Sequence, residues 1–260
     1  YTGTITQNNS ITITVGTSDY NQADGTFTGG DSAIDVNGAF ALSSGAFTAP
    51  SGTMTVAGNF TITGGTFTHN SGTVTFDGAN SHTLSCNSIT FNAVTINKTS
   101  GFPGWTTTVN SDCTFPLGAD PTVVLDRDTL VLNGTLSGSG TMTVTAATSG
   151  SLTLNDGAVL SGFTSVVVPN DVTINGTVNL RGIGLTVTGI LTIGATAVVQ
   201  FQGDETISAG TKTVNGDSII TYLGDGDSAA DTYTITGQFT TYENLTINST
   251  DGTTDIFQLG

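Results

Sequence analysis

The feature that most constrains the fold is a 20-residue repeat near the start of the chain. A Gly-x-Phe-Thr unit occurs at 25–28, returns at 45–48 and returns again at 65–68. The flanking apolar and glycine positions keep the same step, so three successive copies of one unit are present. The equivalent apolar positions are Phe27, Phe47 and Phe67 in one row and Ile34, Met54 and Val74 in a second row.

Within each copy the apolar residues alternate with Thr, Ser, Ala or Gly, as in segments 53–56 and 60–62. A period of two is that of a β-strand whose side chains point alternately inward and outward. About 20 residues hold two or three short strands with their turns, too few for a helical crossover, so each copy should stack on the next. The sequence predicts an all-β parallel β-helix (β-solenoid) with coils of about 20 residues, in which both apolar rows form interior ladders.

Composition agrees with this prediction and excludes other classes of protein. Only 9% of the 260 residues are charged and 35 are Gly, whereas Thr and Val suit pleated strands. The net charge of −16 comes from 20 acidic residues against four basic ones. Nucleic acid is therefore not an expected partner, because there is no basic patch to displace counterions. No apolar run approaches the roughly 18 residues of a membrane helix, so membrane insertion is not expected.

The chain divides by sequence pattern into four segments. Residues 1–24 offer strands that cap or begin the helix, and residues 25–98 form a first β-helix module. Segment 99–122 is rich in Pro and Gly and holds the sole Trp and one Cys, so it is expected to be irregular. Residues 123–260 form a second module that ends in an open coil.

Two departures from the simple repeat carry further predictions. Asn80 stands where an apolar residue is expected, and a turn longer by two residues would place His82 and Leu84 inward instead. A larger repeat relates segment 75–97 to segment 221–248, with five extra residues in the later copy.

Both ends of the chain are predicted to be open coils. The last residues match a point in the first module from which strands continue directly, so the helix is expected to be cut within a module. Unpaired strand edges ordinarily attract another chain. The residues expected at the assembling ends are Tyr1, Thr4, Ile5, Phe257 and Leu259.

One acidic loop resembles the start of a calcium-binding loop. Asp225, Asp227 and Asp231 supply carboxylates, but Ala229 occupies the fifth position and no Glu follows within the loop. A calcium site and a plain acidic loop are both consistent with this pattern. No other cofactor is expected.

The two cysteines, Cys86 and Cys113, lack the spacing of a metal site. A disulfide between them would restrain the irregular segment between the two modules. Two buried free thiols are the alternative.

No catalytic constellation is apparent, and the chain is not expected to be an enzyme. His69 and His82 have no second ligand or nucleophile at a suitable spacing, and they are expected to be surface or turn residues. The Asp-Arg-Asp sequence at 126–128 is interpreted as a solvated salt bridge at an edge.

Outward Thr-x-Thr pairs are frequent, as on the flat faces of ice-binding β-helices. Ala33 and Asp35 interrupt one such row and Ala46 interrupts another, so no face is purely threonine. Ordinary β-propensity is the alternative explanation for the threonines.

The Ser-Gly-Thr-Val-Thr-Phe unit at 71–76 and the Asn-Leu-Thr-Ile-Asn unit at 244–248 resemble those of bacterial cell-surface β-helix proteins, including the passenger regions of adhesins. The resemblance implies an extracellular or cell-surface stalk, adhesin or fibre subunit, and it transfers no functional residues. The first hypothesis is a structural protein that stacks end to end as a head-to-tail homopolymer. The second is a binding module for surface glycans or ice, and the third is a polysaccharide lyase or hydrolase.

Overall fold

The computed structural model describes residues 2–98, 105–146, 149–235, 238–249 and 255–259, except the side chain of Leu259. In these residues the chain forms a parallel β-solenoid of about 11 turns, whose strands stack about 21 residues apart without any helix. The predicted fold class is confirmed.

The strands are short in the first half of the described chain, and several longer ones follow in the second half. The first twelve are β1 Thr4–Thr6, β2 Ile13–Val15, β3 Tyr20–Gln22, β4 Thr26–Thr28, β5 Ile34–Val36, β6 Phe40–Leu42, β7 Ala46–Thr48, β8 Thr53–Val56, β9 Phe60–Ile62, β10 Thr66–Thr68, β11 Thr73–Phe76 and β12 His82–Ser85. The next nine are β13 Ala93–Lys98, β14 Thr106–Val109, β15 Thr114–Ala119, β16 Thr122–Leu125, β17 Thr129–Leu132, β18 Thr135–Thr145, β19 Ser151–Leu154, β20 Val159–Val168 and β21 Val172–Ile174. The last eight are β22 Thr177–Asn179, β23 Gly184–Ile193, β24 Val198–Phe201, β25 Ile207–Val214, β26 Ile219–Tyr222, β27 Thr232–Ile235, β28 Asn244–Ile247 and β29 Ile256–Leu259.

The 20-residue repeat becomes three stacked rows of strands. One row is β1, β4, β7 and β10, the second begins β2, β5, β8, β11, and the third begins β3, β6, β9, β12. Phe27, Phe47 and Phe67 lie opposite one another in the first row, with ring centroids 4.9 and 5.8 Å apart. The second predicted ladder, with Met54 at its centre, is in register and buried in the same way.

The third coil, which begins with the Gly-x-Phe-Thr unit at 65–68, is longer than predicted. His82 and Leu84 are buried, as expected from the sequence. However, Leu84 rather than His82 lies opposite Phe60, 24 residues earlier. The turn is therefore four residues longer than in the preceding coils, not two.

Segment 99–122 differs from the expected irregular connection. Residues 99–104 lie outside the described residues, but β14 and β15 within this segment are regular strands that pair with β17 and β18. Thr107 and Val109 point inward, because the sequence there alternates as in the repeats. Pro116 is accommodated at a register shift, where a missing N–H is tolerated.

The second half of the solenoid keeps the stacking with longer strands that turn corners. Strand β18 pairs by its first part with β15 and by its second part with β16. Asn155 donates to Asn133 Oδ1 over 2.9 Å and accepts from Asn175 over 3.4 Å, so the corners that follow β17, β19 and β21 carry an asparagine ladder.

The larger repeat is present in the strand register. Phe76 pairs with Ile96, and Tyr222 pairs with Ile247. The later interval is five residues longer, which agrees with the predicted insertion.

Candidate functional site

The interior contains a cluster of polar and charged side chains among its aromatic and aliphatic ladders. Lys98 and Asp128 have fully buried side chains, and Lys98 Nζ lies 3.9 Å from Asp128 Oδ2. Lys98 ends strand β13 on the inward side already occupied by Val94 and Ile96. Asp128 directly precedes β17 and shares the inward side of Leu130. Strand alternation therefore places both charges in the core.

Lys98 Nζ makes its short contacts with residues of the preceding coil. It donates to the backbone oxygen of Asp77 over 2.5 Å and to that of Asn80 over 3.5 Å. It also lies 2.8 Å from Nδ1 of His82, which is 4% exposed. The lengthened turn of the third coil supplies all three of these partners.

Several polar atoms around this amine have no hydrogen-bond partner among the described residues. They are His82 Nε2, Asp77 Oδ1, Thr107 Oγ1 and both carboxylate oxygens of Asp128. Buried polar groups without partners are costly. The cluster is thus unlike an ordinary buried salt bridge, in which hydrogen bonds satisfy the carboxylate.

Burial moves each titratable group of the cluster toward its neutral form. Burial lowers the pKa of Lys98 to about 8 against the opposing charges of Asp128 and Asp77. It lowers the pKa of His82 to about 4, and the positive charge of Lys98 adds to that effect. Burial also raises the pKa of the Asp77 and Asp128 carboxyl groups, although Lys98 opposes this. A neutral amine and a protonated carboxyl group are therefore accessible at this site.

The sequence-based interpretation of segment 126–128 as a solvated salt bridge is wrong for Asp128, whose side chain is buried beside Lys98. Of the two expectations for His82, the inward position that follows from the longer turn is confirmed and the surface or turn position is wrong, whereas His69 is half-buried at a turn. The signal that could have found this cluster is the alternation Val94, Ile96, Lys98, which puts a lysine at an inward position.

Cys86 and Cys113 form a disulfide with their Cα atoms 5.0 Å apart. Both are buried, Cys86 just after β12 and Cys113 just before β15. Of the two alternatives left open by the sequence, the structure has the disulfide. It joins successive coils next to the Lys98 cluster.

The three predicted calcium ligands lie together at the surface. One carboxylate oxygen from each of Asp225, Asp227 and Asp231 lies within 4.8 Å of the others. Two of these carboxylates also cap the loop: Asp225 Oδ1 accepts from the Asp227 N–H over 3.2 Å, and Asp227 Oδ1 accepts from the Ala229 N–H over 2.6 Å. These bonds account for the acidic loop without a metal ion, and calcium binding stays a prediction.

An open cleft of about 460 Å³ lies beside this loop and is lined by residues that include Asn179, Arg181 and Asp225. Arg181 Nε donates to the backbone oxygen of Gly224 over 2.8 Å. Asp225 is the one carboxylate among the residues that line the cleft. Hydrolysis of a glycosidic bond ordinarily uses a pair of carboxyl groups, and the residues that line this cleft supply one of them.

Glu205, in a neighbouring turn, serves the backbone. It is 7% exposed, and its carboxylate accepts from the N–H groups of Gly182 and Gly203 over 2.8 Å each and also from that of Gln202. With its oxygens engaged in this way, Glu205 holds two adjacent coils together.

One face of the solenoid carries two rows of outward threonines across four coils. The rows are Thr4, Thr26, Ala46, Thr66 and Thr6, Thr28, Thr48, Thr68. Ala46 is the one interruption. The second row is purely threonine across these four coils.

The residues predicted at the ends occupy outer coils. Thr4 and Ile5 are exposed on β1. Phe257 lies on β29 and stacks on Tyr233 with ring centroids 5.3 Å apart. Leu259 pairs through its backbone with Ile235, and Tyr1 lies outside the described residues.

Comparisons of the chain with protein-family models, with curated proteins and with solved structures each found no match. In the described part of the chain, no helix is long and apolar enough to cross a membrane. Function is therefore inferred from the geometry above.

Proposed function

We propose that this chain is a structural, extracellular β-helical protein, the subunit of a fibre or surface stalk in which copies stack end to end. The observation that carries the proposal is the open strand edge at both ends of the described solenoid. Within the described residues, β1, β2 and β3 pair only with β4, β5 and β6, and β28 and β29 pair only with β26 and β27.

Apolar side chains are exposed beside these open edges. Ile5 and Ile11 are 46% and 55% exposed in the first coil. In the last strands, Leu245, Ile247 and Ile256 are 40%, 44% and 52% exposed. A further coil would pair the free backbone groups and cover these side chains together, which is how an added strand gains affinity.

A second copy of the chain fits this requirement. The first coil of one copy presents the short strands β1, β2 and β3 with exposed apolar residues such as Ile5, and the last described strands, β28 and β29, present exposed apolar residues such as Leu245. A heterologous junction of this kind does not close on itself, so it generates a filament. The net charge of −16 opposes the approach of copies, and assembly should therefore be promoted by salt.

Electron microscopy of the purified chain at several protein and salt concentrations tests the proposal. We expect unbranched fibres with an axial repeat of roughly 50 Å, from about 11 coils at about 4.8 Å each. Persistent monomers under all conditions would overturn the self-stacking model.

A matched set of charge substitutions identifies the surfaces involved. Ile5→Lys and Leu245→Lys place a charge at opposite ends and should each abolish fibres. Ile190→Lys places the same charge on the 44% exposed Ile190 of β23, away from both ends, and should leave fibres intact. Fibres that survive both end substitutions would contradict the model.

A second candidate function is a binding module for ice or surface glycans, favoured by the double threonine row on β1, β4, β7 and β10. Replacing Thr66 and Thr68 with Lys should abolish ice shaping or glycan binding without unfolding the protein. Thr83→Lys, on an exposed position of another row, is the control. If the Thr66 and Thr68 variants bind as well as the unmodified chain, this candidate is excluded.

A further inference from the structure

We propose that Lys98 and Asp128 are joined by an intramolecular amide bond between Lys98 Nζ and Asp128 Cγ, which cross-links two successive coils. This covalent modification goes beyond the structural role proposed above and does not depend on assembly.

The backbone holds the two side chains in fixed positions. Lys98 lies opposite Leu125 in the β13–β16 pairing, and the Asp126 N–H donates to the Lys98 backbone oxygen over 2.8 Å. Asp128 then leads directly into β17, which pairs with β14 and β19. Because Lys98 ends one paired strand and Asp128 directly precedes another, their reactive groups are already held close together for a unimolecular reaction.

The contacts in the cluster fit an amide better than an ion pair. At 3.9 Å, Lys98 Nζ is beyond hydrogen-bond distance from Asp128 Oδ2, and among the described residues no hydrogen bond of normal length and angle reaches either Asp128 oxygen. The Thr107 hydroxyl interacts with this carboxylate and opposes the rise in its pKa. An ion pair in this setting keeps two desolvated charges, of which the Asp128 carboxylate is poorly compensated. An amide removes both charges and one of the two unpartnered oxygens. Its single N–H can still donate to the Asp77 backbone oxygen, which lies 2.5 Å from Nζ.

The chemistry is a balanced condensation. The ion pair first becomes neutral by transfer of one proton from the Lys98 ammonium to the Asp128 carboxylate. The Nζ lone pair then forms a bond to Cγ, while His82 Nδ1, 2.8 Å from Nζ, accepts a proton from the nitrogen. That proton passes to the departing hydroxyl, the C–O bond breaks, and one water molecule leaves. No oxidant or external co-reactant is needed.

Burial favours each requirement of this reaction. It lowers the pKa of Lys98 to about 8 and raises that of Asp128, so the amine and the carboxyl group both reach their neutral forms more easily. Exclusion of solvent also protects the product from hydrolysis.

Intact-mass spectrometry of the reduced, full-length chain is the first test. We expect a mass lower by one water molecule than the mass calculated from the sequence. A mass equal to the calculated one would overturn the proposal.

A tryptic digest of the reduced protein then locates the bond. The four basic residues divide the chain into peptides 1–98, 99–127, 128–181, 182–212 and 213–260. An amidated Lys98 resists trypsin, so residues 1–127 should remain together and be linked to 128–181. Free peptide 128–181 together with the loss of water would place the bond elsewhere, for instance on Asp77, and would overturn the assignment to Asp128.

Substitutions supply the controls. Lys98→Met should restore the full mass, whereas Lys212→Met, at the other lysine of the chain, should keep the water loss. His82→Gln should leave a mixture of linked and unlinked chains if His82 carries the proton. Water loss that persists in the Lys98→Met variant would contradict the proposal, and the mass of the unsubstituted chain decides the question even if a variant fails to fold.

Discussion

His82 Nδ1 lies 2.8 Å from Lys98 Nζ inside the coil stack. Burial is the main reason that the pKa of this imidazole falls to about 4 from an ordinary value of 6.5. The folded protein therefore holds a neutral histidine that would charge readily if the chain unfolded.

The stability of the protein should consequently fall in mild acid. Because the folded pKa lies below the unfolded one, the unfolded state binds more protons between pH 6.5 and about 4. The contribution of His82 is fully present above this window and is lost as the pH falls through it. The expected loss is up to about 3 kcal/mol, from about 1.4 kcal/mol per pKa unit. Urea unfolding at a series of pH values measures it.

The comparison with His82→Leu isolates this effect. Asp77 has a raised pKa, and so has Asp128 in a chain in which it is not joined to Lys98, so titration of these carboxyl groups acts in the opposite sense. The charge of Asp126 and, in the unlinked chain, that of Lys98 also face the cluster. The difference between the two proteins should show the His82 step, whereas His69→Gln should keep it. An identical pH dependence for the His82→Leu variant and the unmodified chain would contradict the prediction.

The disulfide should contribute substantially to stability. Cys86 and Cys113 are separated by 27 residues, and closing a loop of that length stabilises by about 3–4 kcal/mol in the chain-entropy description. The double Cys→Ala variant should lose that amount in urea unfolding. Hydrogen exchange should quicken most in β12, β14 and β15, because coils of a solenoid depend mainly on their neighbours. Uniform exchange along the whole chain would argue against a local effect.

Truncating an aromatic side chain at the centre of the ladder should lower the stability of the protein. Phe47 is 1% exposed and lies between Phe27 and Phe67, with ring centroids 4.9 and 5.8 Å away. Phe47→Ala should cost about 3–5 kcal/mol through lost burial and the remaining cavity, and Phe47→Leu should cost much less. Chemical denaturation of both variants measures the difference. A cost below about 1 kcal/mol for alanine would mean that the neighbouring coils collapse into the space.

The fold was predictable because stacking makes each coil impose its environment on the next. Phe27, Phe47 and Phe67 are spaced 20 residues apart and occupy equivalent positions in successive coils, because a parallel ladder preserves register. The same logic predicted the five-residue insertion from the sequence, and the pairings of Phe76 with Ile96 and of Tyr222 with Ile247 confirm it.

The Lys98 cluster was not predicted because it arises where the repeat changes length. His82 and Asp77 border a lengthened turn, and Asp128 comes from a later coil of different sequence. Nothing in the 20-residue period relates these positions to one another. Segment 99–122 was misjudged for a related reason: its Gly and Pro residues obscured the alternation that places Thr107 and Val109 inward.

Glycine substitutions should separate backbone strain from steric overlap at the corners of the coils. Gly45 has a φ of +78°, and a Cβ there would overlap the backbone oxygen of Gly25 in the adjacent coil. Gly118 has a φ of +87° but open space, and Gly16 has open space without a positive φ. Gly118→Ala should cost about 1–2 kcal/mol from the left-handed conformation alone, Gly45→Ala should cost more, and Gly16→Ala should be neutral within about 0.5 kcal/mol. Urea unfolding of the three variants gives the ranking. Equal costs for Gly45→Ala and Gly118→Ala would contradict the prediction. They would show that the neighbouring coil moves aside, so that steric overlap at this corner adds nothing to the backbone strain.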